Sequence, residues 1–109
     1  MPVGNPDVID AIGIERESGV AVLTNADHME WDDGNQHLLA LQVKINRYLD
    51  FIETGEIYES YPLAVGKQLR IDVVCRYAPS ESGERLLELA MDVVRHAGLS
   101  LTWRVPALE

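Results

Sequence analysis

The chain has 109 residues, of which 47% are hydrophobic and 25% are charged, the composition of one globular domain with a buried core. Eighteen acidic residues against nine basic ones give a formal charge of −9, which repels phosphate groups and argues against nucleic acid and membrane surfaces as partners. A single cysteine, Cys75, excludes an internal disulfide. No apolar run reaches the roughly 18 residues that span a bilayer, and the N-terminus does not resemble a secretion signal, so we expect a cytoplasmic protein.

The first half of the chain predicts a hairpin followed by an amphipathic helix. Residues 7–14 and 20–24 are β-prone, and Gly19 between them can adopt the positive φ that a tight reversal needs. Apolar residues then recur at the helical period, and Gly55 is the expected end of that helix. The predicted buried stripe consists of Leu38, Leu41, Ile45, Tyr48, Leu49 and Ile52. Residues 56–67 contain proline, glycine and two tyrosines without a clear period and predict a loop.

The second half predicts a strand, a helix and a last strand. Strict alternation of apolar and polar residues over 69–77 and again over 99–105 is typical of strands with one solvent-exposed face. Between them, Ser80 or Ser82 is placed to cap a helix that ends at Gly98. The apolar arc of this helix is unusually wide, so we expect it to be the more buried of the two helices. That arc consists of Leu86, Leu87, Leu89, Ala90, Met91, Val93, Val94 and Ala97.

The element order ββαβαβ predicts an α+β fold in a single domain, residues 1–109. We expect a two-layer sandwich in which a four-stranded mixed sheet carries both helices on one face, because strands three and four are apolar on one side only. If these two strands share a sheet, the helix between them makes them parallel and joins them by a right-handed crossover.

The stretch NADHMEWDDGNQH, residues 25–37, crowds two histidines and four carboxylates before the first helix. Asp33 with Gln36 resembles a capping box, and we interpret Asp32 and Asp33 as N-caps that satisfy free backbone amides. The alternative is a metal site, because histidine and carboxylate are the usual ligands of zinc, manganese and iron. Its candidate ligands are His28, Glu30, Asp33 and His37. We favour capping, since Gly34 is a poor interior residue for the longer helix that would align Glu30, Asp33 and His37 on one face.

Two surfaces are candidates for binding. Arg70, Arg76 and Arg104 would form a basic patch on the outer sheet face if strands three and four are neighbours, suited to an anion or an acidic partner. The plainer interpretation is an ordinary solvated sheet face. Leu39, Val43 and Phe51 point away from the main stripe of the first helix and are candidate apolar partner contacts, unless other elements cover them.

The residues HMEWDD, followed by NQHLLALQVKINRYLDFIETGEIYESYP, resemble an uncharacterised bacterial family of short single-domain proteins. The resemblance extends over residues 7–105, and because the family has no known function it implies no activity, cofactor or catalytic residue.

The sequence brings no nucleophile, histidine and orienting acid together and has no glycine-rich phosphate loop, so we favour a non-catalytic protein without a cofactor. The favoured function is a module that binds another protein, either a second copy of itself or a basic target that it inhibits, as bacterial immunity proteins do. The competing hypothesis is a small metal- or ligand-binding protein that uses residues 28–37.

Overall fold

The computed structural model describes residues 11–27, 31 and 36–106. Within these residues, four strands, three α-helices and one short 3-10 turn follow one another. They are β1 (Ala11–Ile14), β2 (Ala21–Asp27), α1 (Gln36–Glu53), α2 (Glu56–Ser60), the 3-10 turn (Pro62–Ala64), β3 (Leu69–Cys75), α3 (Glu81–His96) and β4 (Ser100–Arg104). Among these described residues, no helix is both long and apolar enough to cross a membrane.

The strands form one mixed sheet in the order β1-β2-β3-β4. β1 runs antiparallel to β2, and Gly19 with φ +73° lies in the reversal between them, which confirms the predicted hairpin. β2, β3 and β4 are parallel, with Leu23 beside Ile71 and Ile71 beside Leu101. The expected fold class is therefore confirmed, and strands three and four are parallel neighbours.

The hydrophobic core lies between the sheet and the two long helices. Alternate residues of the parallel strands point at the helix layer, and α1 and α3 contact each other across it. The buried apolar strand residues are Ala21, Leu23, Leu69, Ile71, Val73, Cys75 and Leu101, and the buried polar ones are Asn25, Asp27 and Asp72. On the opposite face of β4, Ser100, Thr102 and Arg104 are exposed. This two-layer arrangement explains the one-sided apolar alternation of β4. The prediction of a solvent-exposed face on β3 is wrong, because Asp72 is buried there and Arg70 and Val74 are half-buried.

The prediction of a loop after Gly55 is wrong, because residues 56–60 form the short helix α2. Gly55, with φ +81°, separates α1 from α2 and is the N-cap residue of α2. Ile57 has no exposed surface and packs in the core. A helix of five residues with one buried side chain shows no helical periodicity of apolar residues, so the sequence pattern could not indicate it.

The expectation that the second long helix is the more buried one is also wrong. In α3 only Gly83, Leu87 and Val94 are buried, whereas α1 buries four residues. Leu89 and Val93 lie on the wide apolar arc but remain 64% and 58% exposed. Leu87 and Val94, which are seven residues apart, point at the sheet. The side of α3 that faces α1 is left partly uncovered.

Ser80 is the cap of α3, since its Oγ accepts a hydrogen bond from the backbone N–H of Gly83 at 3.1 Å. We expect Ser80→Ala to lower the free energy of unfolding by about 1 kcal/mol, because it removes the acceptor for an otherwise unpaired amide. Ser82→Ala is the matched control, since Ser82 is exposed within the first turn and does not cap it. Urea unfolding of both variants measures the difference, and equal losses would contradict this role for Ser80.

Candidate functional site

A buried hydrogen bond between a histidine and a carboxylate lies where β2 ends and α1 begins. His37 is 2% exposed, and its Nε2 lies 2.5 Å from Oδ2 of Asp27, whose carboxylate accepts the hydrogen bond. The sequence pattern assigns residues 25–27 to an acidic connection, but they are the last residues of β2. The pair therefore fixes the first turn of α1 to the end of a central strand.

The Trp31 side chain packs over the His37 ring and also contacts α3. Its ring stacks on the His37 ring with centroids 3.6 Å apart and planes at 24°. Its Nε1 donates a hydrogen bond to the backbone oxygen of Tyr77 at 3.2 Å. On α3, a Cβ added to Gly83 would lie only 2.6 Å from the Trp31 ring, so the ring occupies the space where a side chain would be. One indole thus connects the ends of β2 and β3 to the beginnings of α1 and α3.

Cys75 lies beside this cluster but is not an activated nucleophile. It is paired with Asp27 in the sheet register and is buried. Burial raises the pKa of the Cys75 thiol to about 11, and the negative charges of Asp27 and Asp72 act in the same direction. A thiol that stays protonated at neutral pH is a poor nucleophile and a poor metal ligand.

Of the four candidate metal ligands, only His37 is described; His28, Glu30 and Asp33 lie outside the described residues, as does the predicted cap Asp32. Within the described ranges, no group of three or more histidine, cysteine or acidic side chains is placed to hold a metal ion. The Nε2 atom of His37 is engaged by Asp27. Both the metal site and the two caps therefore remain predictions.

The arginines of the predicted basic patch occupy different surroundings. Arg70 pairs with Glu15 at 2.9 Å, and Nε of Arg104 lies 3.4 Å from Oδ2 of Asp72. A hydrogen bond from Ser18 and the guanidinium of Arg70 lower the pKa of the Glu15 carboxyl. The charges of Arg70 and Arg104 are thus partly neutralised within the chain. Arg76 follows β3 and lies 5.7 Å above the ring of Tyr77.

The apolar side chains singled out on α1 also differ from one another. Leu39 and Val43 are 58% and 45% exposed, whereas Phe51 is partly buried and packs against the core. Leu39 lies at one end of an open groove between α1 and α3, which we name the helix groove. The helix groove is lined by Leu38, Leu39, Gln42, Ile45, Asn46, Leu49, Ser82, Arg85, Leu86, Leu89, Ala90 and Val93.

The α3 side of the helix groove was missed by sequence reasoning. Periodicity predicts that a buried arc contains Leu86, Leu89, Ala90 and Val93. It cannot show whether a neighbouring element covers them, because an apolar arc looks the same on a covered and on an uncovered helix. The signal that could have revealed the groove was the width of that arc, which exceeds what one sheet can bury. With the exposed Leu89 and Val93, the helix groove is the candidate functional site.

The fold and this groove define a small two-layer α+β domain with an uncovered apolar surface on its helix layer. The chain belongs to the DUF6572 family, a family of unknown function, whose model matches residues 1–107. Comparison with the curated proteins and with the solved structures found no match. Membership agrees with the resemblance to an uncharacterised family, while its bacterial origin and its acidic stretch remain predictions.

Gly83→Ala should destabilise the fold by about 1 to 3 kcal/mol, although alanine is the better helix former, because the new methyl group overlaps the Trp31 ring. Gly13→Ala is the control, since a Cβ at Gly13 meets nothing within 4 Å. Chemical unfolding of both variants measures the effect. A Gly83→Ala protein as stable as the wild type would show that Trp31 is not confined as described.

Removing one partner of the buried Asp27–His37 hydrogen bond should cost more than removing one member of a surface pair. We expect His37→Ala to lose about 3 kcal/mol, because it leaves the Asp27 carboxylate buried without this partner. In the double variant with Asp27→Asn the loss should be smaller than the sum of the two single losses. A double-mutant cycle by urea unfolding measures the coupling, and additive losses would contradict a direct interaction.

Proposed function

We propose that the protein is a non-catalytic protein-interaction module, and that its helix groove binds an amphipathic, basic helix of another protein. The observation that supports this function is the exposure of Leu89, Val93 and Leu39 along one continuous groove. Soluble monomers rarely leave large contiguous apolar patches in contact with water, and those that do usually bind a partner there.

The shape of the helix groove suits a helix better than an extended strand. Two neighbouring helices form its walls, and a third helix can lay side chains at positions i, i+3, i+4 and i+7 into the furrow between them. From Ser82 to Val93 the α3 wall extends for about 16 Å at 1.5 Å per residue, which is roughly three helical turns. Gln42 and Asn46 supply polar groups that can fix the orientation of the bound helix.

Charge favours a basic partner. The chain has a formal charge of −9, and Glu81 and Asp92 of α3 are exposed. Arg85 and Arg95 are each paired within the helix, with Glu81 and Asp92 respectively, so their positive charges are partly balanced. An acidic surface raises the rate at which a basic partner associates and disfavours acidic competitors. Inhibition of a basic target, in the manner of immunity proteins, is one form that such binding takes.

A designed peptide tests the proposed binding directly. The probe is a short amphipathic helix built from leucine and lysine, and the comparison peptide has glutamate in place of lysine. We expect the basic peptide to bind and to shift amide NMR signals of residues that line the helix groove. Leu89→Asp should weaken this binding by about tenfold or more, because it places a charge in the apolar contact.

Leu63→Asp is the matched control, since Leu63 is 66% exposed on the 3-10 turn and does not line the helix groove. Circular dichroism should show the same fold for both variants. Equal binding of the basic peptide to both variants, or equal binding of the acidic peptide to the wild type, would refute the proposed site.

A further inference from the structure

We propose that two copies of this chain associate through the outer edge of β4, in antiparallel pairing about a two-fold axis at Thr102, and so form one continuous eight-stranded sheet. The proposal does not depend on the helix groove, which lies on the other flank of α3. It assigns a second interaction surface and commits to a second copy as its occupant.

β4 ends the sheet, and within residues 11–27, 31 and 36–106 its only paired neighbour is β3. Its outer side therefore presents a row of backbone N–H and C=O groups that another strand can pair with. Proteins usually block such an edge with lysine, proline or a bulge in mid-strand. The three central residues of β4, Leu101, Thr102 and Trp103, are uncharged, whereas Arg104 stands at the end of the strand and Pro106 follows it.

The residues of β4 complement themselves in antiparallel register. With Thr102 on the two-fold axis, Leu101 stands opposite Trp103 of the second copy, and Ser100 stands opposite Arg104. Leu101 and Trp103 are paired with the buried Ile71 and Val73, so both face the helix layer and would extend the core across the junction. Threonine opposite threonine on the open face is a favourable cross-strand pair.

The helix above this edge also fits a two-fold arrangement. α3 runs back over β4, to which it is joined through residues 97–99, and the two elements pack together. At about 3.3 Å per strand residue and 1.5 Å per helix residue, Thr102 lies roughly level with Met91. Met91 is 39% exposed and is roughly 100° or more around the helix from the residues that line the helix groove. Two Met91 side chains would therefore meet near the axis.

Charges on the same flank of α3 are complementary. Glu88 lies three residues before Met91 and Arg95 lies four residues after it, and both are exposed. In an antiparallel pair of α3 helices, Glu88 comes opposite Arg95 of the second copy, and the contact occurs twice. Arg95 is paired with Asp92 of its own chain, but 73% of its side chain is accessible. These two contacts offset the repulsion between two acidic chains, because distant charges are screened beyond about 8 Å at physiological salt.

Sedimentation and light scattering over a dilution series test the interface. We expect the wild-type chain to have twice the monomer mass of 12.2 kDa at high concentration. Thr102→Lys should give a folded monomer, because two lysines would then face each other at the axis. Gln68→Lys is the matched control: Gln68 is exposed before β3, away from the β4 edge, and this variant should remain dimeric.

A charge exchange tests the α3 contact separately. Glu88→Arg and Arg95→Glu should each weaken dimerisation by about tenfold, and the double variant should restore it, because opposite charges again face each other. A wild-type protein that stays monomeric at all concentrations would overturn the proposal. A dimer that survives Thr102→Lys but is broken by Leu89→Asp would also overturn it, since the copies would then meet through the helix groove.

Discussion

The position of Trp31 is the constraint on which the arrangement of both long helices depends. Its ring stacks on His37, which is hydrogen-bonded to Asp27 at the end of β2, and occupies the space above Gly83 in the first turn of α3. Ring stacking, a hydrogen bond to the backbone of Tyr77 and steric exclusion at Gly83 therefore all act on the Trp31 side chain. α1 and α3 both begin at this point, so Trp31 fixes the position of their first turns relative to each other. The helix groove starts beside this point, because Leu38 and Ser82 of those first turns belong to its lining.

Much of the fold was predictable from local periodicity. The strand from Leu69 to Cys75, the helical stripe from Leu38 to Ile52 and the turn at Gly19 each reflect a rule that acts within a few residues, and the structure confirms these elements. The Asp27–His37 pair was not predictable in this way. Its partners are ten residues apart and become neighbours only when β2 extends to Asp27 and α1 turns back over the sheet. A histidine in an acidic stretch therefore suggests a metal ligand or a capping segment, whereas the described residue is a buried structural partner.

The apolar arc of α3 shows why the candidate site could be predicted only in part. An arc of about half the helix circumference indicates more than one contact, and the sheet and α1 are the two elements within its reach. Leu87 and Val94 do reach the core, but Leu89 and Val93 stand beside α1 without being covered by it. Periodicity identifies the direction in which a side chain points; it does not give the distance to the next element. That distance is set by tertiary contacts, which no local pattern contains.

The two proposed surfaces lie on opposite flanks of α3, and their combination has a consequence for binding strength. A dimer built through β4 would place both helix grooves on the same face of the eight-stranded sheet, related by the two-fold axis and each outside the pair of α3 helices. Neither groove would be covered by the dimer contact, since Leu89 and Val93 point away from the flank of Met91. A partner that presents two amphipathic helices could occupy both grooves at once, and the second contact would form at a high effective concentration. A weak single groove would then be sufficient for tight binding to a dimeric or repetitive target, while a partner with one helix would dissociate quickly.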